Sequence, residues 1–77
     1  MANHVRPIVL TDEDRGQLES LTRASTTPAG LSRRARAVLM MSHGISGVQI
    51  AEKTGYTPVQ VSRIRRRFAE AGVGGLY

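Results

Sequence analysis

SGVQIAEKTGYTPVQVSRIRRRF, residues 46–68, decides how this chain folds. Two short amphipathic stretches flank Gly55-Tyr56-Thr57. The second packs four arginines, Arg63, Arg65, Arg66 and Arg67, into five positions and threads Val61, Ile64 and Phe68 through them. Like charges at that density repel and call for solvent or an anion. The apolar residues recur at helical spacing, so the opposite side of the same helix must be buried.

The ends of both stretches are marked. Ser46 is placed to cap a helix over Gly47–Thr54, with Val48, Ile50 and Ala51 as its apolar positions, and Gly55 stops it. Thr57 and Gln60 form the S/T-x-x-E/Q pattern of a capping box. Pro58 falls at the first helical position, where its missing N–H costs nothing. The second helix then runs to about Ala71 and stops at Gly72. Two short helices that cross closely need a small residue at the crossing, and Ala51 supplies it. Four positions later the backbone must turn left-handed, and Gly55 can do so. With Ile50, Tyr56, Val61 and Ile64 at positions that must be buried or half-buried, this is the spacing of a helix-turn-helix over residues 46–71.

On the N-terminal side, Thr11 precedes Asp12, Glu13 and Asp14, an N-cap followed by an acidic first turn. A helix is expected from Asp12 to Ala24, with Leu18 and Leu21 on one face. Residues 25–30, STTPAG, read as a loop. Helical period returns at Leu31: Leu31, Ala35, Val38, Leu39 and Ser42 form a stripe, Met40 and Met41 flank it as core filler, and Gly44 ends the helix after His43. Nothing reads as a strand. The expected fold class is all-α, a small bundle of about four helices over residues 11–72 that contains the helix-turn-helix. Residues 1–10 are expected to be a flexible arm, with Arg6 a minor-groove candidate, and residues 73–77 a loose tail.

Composition narrows the function. The chain has 77 residues, no cysteine and a formal net charge of +5. Disulfides and thiolate metal sites are excluded, and His4 and His43 have no carboxylate company. No apolar run approaches a membrane span. Residues 1–30 carry three arginines against four acidic residues; residues 31–77 carry eight basic residues against Glu52 and Glu70. Such an excess, almost all of it arginine, suits phosphate and guanine recognition. No nucleophile, general base, cofactor motif or small-molecule site is visible.

At about 100° per residue, Val59, Ser62, Arg63 and Arg66 point away from the Val61–Ile64–Phe68 face. Such a helix can lie in the major groove of double-stranded DNA with its N-terminal part against base edges. Thr57, Pro58, Val59, Ser62 and Arg63 are then the base-contacting candidates. Ser46, Gln60, Arg66, Arg67, Arg33, Arg34 and Arg36 are the phosphate-contacting candidates, and Phe68 belongs to the core.

The segments VLTDEDRGQLESL, RRARAVL, G-I-S-x-x-x-I-A and VSRIRRRFAEAGVGGL, spanning Val9 to Leu76, resemble the N-terminal DNA-binding region of bacterial insertion-sequence transposases of the mariner superfamily. The resemblance implies a homeodomain-like domain that recognises terminal inverted repeats of a mobile element in the bacterial cytoplasm, on the nucleoid when bound. The family's catalytic domain holds divalent metal through an acidic triad. No such triad is present up to Tyr77, so this chain is expected to bind DNA without cutting or joining it. A single module reads few base pairs, so a second module or a homodimer is expected to add specificity. A stand-alone transcriptional regulator would use the same contacts, and a basic protein-interaction module would use the same helix on an acidic partner.

Overall fold

The structure is a computed structural model and describes residues 8–77. Four helices follow one another: α1 Asp12–Arg23, α2 Ala29–Ser42, α3 Gly47–Thr54 and α4 Pro58–Ala71, closed by a 3₁₀ segment, Gly72–Leu76. No strand occurs among the described residues. The all-α bundle of about four helices expected from the sequence is the fold.

Three of the four helices start on a hydroxyl. Thr11 Oγ1 accepts the Asp14 N–H at 3.0 Å, Ser46 Oγ the Gln49 N–H at 3.2 Å, and Thr57 Oγ1 the Gln60 N–H at 3.2 Å. α2 has no such cap. It begins at Ala29, two residues before the periodic stripe starts at Leu31, with Pro28 at the N-cap and no side-chain hydrogen bond there. The small Ala29 and Gly30 let the first turn form without a hydrophobic face of its own.

α2 is the central element. α1 packs along it, and α3 and α4 pack against it as well. The buried set is Leu18 from α1; Leu31, Ala35, Ala37, Val38 and Met41 from α2; Ile50 and Ala51 from α3; Val61, Ile64 and Phe68 from α4; and Leu76. A helix covered from several directions needs an apolar surface wider than one stripe. Ala37 is therefore buried, and Met41, expected on a flank, is fully enclosed. Ser42, expected in the stripe, is half-buried and donates its hydroxyl to the Leu39 carbonyl at 2.6 Å. Val48, expected among the apolar positions of α3, is 60% exposed, because α3 packs through its Ile50–Ala51–Thr54 side.

The C-terminal segment is docked, which corrects the expectation of a loose tail. Gly72–Leu76 folds back along the end of α4 and also meets α1 and α2. Leu76 is fully buried, and its carbonyl accepts the Arg34 Nε–H at 2.6 Å. The glycines that suggested looseness permit the close approach: a Cβ on Gly75 would lie 2.5 Å from the Arg67 carbonyl oxygen. At the other end, residues 1–7, with Arg6 and His4, lie outside the described residues. Ile8 and Leu10 are not free arm: both pack half-buried on the core, and the Ile8 N–H donates to the Met41 carbonyl at 3.4 Å.

Gly75→Ala is therefore expected to destabilise the domain by about 1–3 kcal/mol through overpacking against backbone. Gly74→Ala, which has open space around it, should stay within about 0.5 kcal/mol of the parent. Urea unfolding of the pair, followed by circular dichroism, checks this difference.

Candidate nucleic-acid interface

The interface is built on the α3–α4 turn. Gly55 adopts the left-handed conformation, φ 84°, and its N–H donates to the Ala51 carbonyl at 2.9 Å. A side chain is strained in that region, so glycine is what lets α3 end there. Thr54 secures the turn from inside: its buried hydroxyl donates to the Ile50 carbonyl at 2.6 Å and accepts the Tyr56 N–H at 3.4 Å. Ala51 is buried at the crossing, and the first turn of α3 lies next to Val61, where a Cβ on Gly47 would make an ordinary 3.9 Å contact with Val61 Cγ1.

α4 then leaves the turn with its capping box complete. Thr57 Oγ1 takes the Gln60 N–H, and Gln60 Oε1 takes the Thr57 N–H at 2.8 Å. Val61, Ile64 and Phe68 are buried, so the opposite face is fixed outward. Thr57, Pro58, Val59, Ser62 and Arg63, the base-contacting candidates, are all exposed. Val59 keeps 65% of its surface open and so presents an apolar side chain on this face. Arg66 and Arg67 are exposed farther along the same helix, and Arg65 is half-buried.

The remaining phosphate-contacting candidates divide. Arg33 and Arg36 are exposed on α2. The Arg33 guanidinium lies over the Tyr56 ring, 5.5 Å from its centroid, which ties α2 to the residue before Thr57. Arg34 is half-buried and its Nε is committed to the Leu76 carbonyl, so its main part is inside the fold. Ser46 and Gln60 each spend a side-chain oxygen on a cap. Lys53 was not singled out from the sequence, yet it faces the same polar groove as Arg33 and Arg36. Its position two residues before the turn glycine was the available clue. The Arg33–Tyr56 stack had none, since 23 positions separate the partners.

The described helices include none long and apolar enough to cross a membrane, and the described residues hold no group of three or more His, Asp or Glu that could take a metal ion. A family model for the homeodomain-like domain matches residues 28–77, well over half of the chain, and the chain belongs to that family. The match takes in α2, α3, α4 and the docked 3₁₀ segment, and identifies a helix-turn-helix DNA-binding domain. α1 lies before it. No curated protein and no solved structure matches the chain significantly.

Because Thr57 is both a cap and a base-contacting candidate, Thr57→Ala should lower stability by about 1 kcal/mol as well as weaken binding. Thermal unfolding should reveal the first effect in the absence of DNA. Ser62→Ala, which breaks no cap, should leave the melting temperature unchanged.

Proposed function

We propose that this domain binds duplex DNA with sequence preference by laying α4 in the major groove, and that it serves as the DNA-binding part of a transposase recognising terminal inverted repeats. The observation that carries the first part is the division of α4 into a buried Val61–Ile64–Phe68 face and an exposed Val59–Ser62–Arg63–Arg66 face, within a helix-turn-helix domain. The transposase assignment rests on the motif resemblance from Val9 to Leu76, whose glycine–leucine ending after α4 includes the buried Leu76.

In this reading the N-terminal turn of α4 reads bases. Arg63 donates to O6 and N7 of a guanine, and Val59 with the Pro58 ring meets a thymine methyl. Thr57 and Ser62 contact neighbouring base edges. Arg66, Arg67, Arg33 and Arg36 hold phosphates and set the register without carrying sequence information. Ser46 and Gln60 have backbone partners inside the domain and add to phosphate contact only through their remaining donors. The grip needs no cofactor. Strand cutting and joining belong to other parts of such a transposase, and a second copy or a second module extends the site. The domain would act on the bacterial nucleoid.

Incubating the domain with a pool of random duplexes at two salt concentrations, then sequencing what is retained, tests this. An enriched motif with salt-dependent affinity is the expected result. A motif matching the ends of a mobile element around its own gene supports the transposase role, whereas one confined to promoters replaces it with a regulator. No binding at low salt would overturn the DNA reading and favour an acidic protein partner for the basic helix. Arg63→Ala should cost about 1–3 kcal/mol and relax the preference at one guanine. Arg66→Ala should weaken binding evenly across sequences and reduce the salt slope by about 1.

A further inference from the structure

We propose that Arg33 and Arg36 do not hold separate phosphates but form, with Lys53, one phosphate seat in the groove between the start of α2 and the end of α3, which grips the DNA backbone outside the surface of α4. The proposal rests on the duplex-binding reading and extends it to a surface that the recognition helix does not form.

The cations come from two helices. Arg33 and Arg36 stand one turn apart on α2, and Lys53 stands in the last turn of α3; all three line one polar groove together with Thr27 and Ser32. No carboxylate lines it. Arg33, Arg36 and Lys53 have no ion-pair partner among the described residues. Three positive groups gathered without a counter-charge repel one another, and an anion placed between them removes that repulsion. The half-buried hydroxyls of Thr27 and Ser32 supply neutral donors beside the cations. The first turn of α2 borders the groove and carries neither an acidic residue nor a capping side chain, so the helix dipole adds to the positive potential.

The groove also has a fixed relation to the base-reading end. Arg33 rests on the Tyr56 ring, and Tyr56 directly precedes Thr57, the cap of α4. Lys53 lies two residues before Gly55, where the chain turns toward α4. Arg33 is therefore held before any ligand arrives, and less of its rotamer freedom is lost on binding. A phosphodiester seated here would be held through the same turn that positions α4, and it would help to fix how far α4 enters the groove. The ligand chemistry is a phosphate monoanion, and the source assigned is the DNA backbone.

The test compares the parent with an Arg36→Gln, Lys53→Gln double variant on a duplex retained from the random pool. Both side chains are exposed, so the melting temperature should not move. The logarithmic salt slope should fall by about 1.8, two contacts at about 0.9 each, which makes the parent lose roughly ten-fold more affinity than the variant between 50 and 200 mM salt. The enriched motif should stay the same. Duplexes carrying one methylphosphonate linkage at a time should contain a position whose neutralisation weakens the parent and leaves the variant unaffected. If the parent binds and the variant keeps its full salt slope, the seat is wrong and the α4 reading survives. If the parent binds no duplex, both fall. Titration with inorganic phosphate separates the two sources: saturable amide shifts at residues 29–36 with phosphate, and none with duplex, would overturn the DNA assignment.

Discussion

The left-handed backbone at Gly55 is the constraint on which the rest depends. It ends α3, reverses the chain in three residues and brings α4 across Ala51. Once the crossing is set, Val61, Ile64 and Phe68 have one place to go, under α2 and α3, and the arginines between them have one direction left. Thr54 shows how closely the turn is specified. It is the one buried polar side chain among the described residues, and its hydroxyl holds the carbonyl before the turn and the amide after it. Buried polar groups survive only when paired, so this pairing belongs to the turn as much as the glycine does.

Charge follows from the same geometry. α1, with its acidic first turn, packs on α2, while α2 and α4 carry seven of the arginines, Arg33, Arg34, Arg36, Arg63, Arg65, Arg66 and Arg67. The acidic first turn and the arginine-rich helices are therefore different elements of the bundle. A phosphate surface approached by such a domain meets attraction on one side and repulsion on the other, which orients the encounter before any base is touched. α1 lies outside the matched homeodomain-like segment, yet Leu18 is fully buried, so this added helix is joined to the core and not merely appended.

What could be read in the sequence was local. The caps of α1, α3 and α4, the turn glycine and the inward–outward division of α4 are set by residues within four positions of one another, and short-range physics determines them. What could not be read was non-local. Met41 is buried because α2 is covered from more than one direction, which a single periodic stripe does not reveal. Leu76 is buried because its segment folds back onto α4, α1 and α2, and Arg34, 42 positions earlier, donates to its carbonyl; three glycines nearby gave the opposite impression. Val48 resembles a core residue by type, and only the orientation of α3 exposes it. At the interface, the outward residues of α4 were legible. The contribution of Lys53 and the diversion of Arg34 into the fold depended on which helix ends meet.

The capping box separates two kinds of position within the first two turns of α4. Thr57 and Gln60 are occupied with each other's backbone, so exchanging either disturbs folding. Val59, Ser62 and Arg63 lie between and just beyond them, with no side-chain hydrogen bond among the described residues. In the proposed reading a lineage retargets this domain by changing three exposed side chains while its folded architecture remains untouched. Specificity is then free to drift at a rate that stability does not limit.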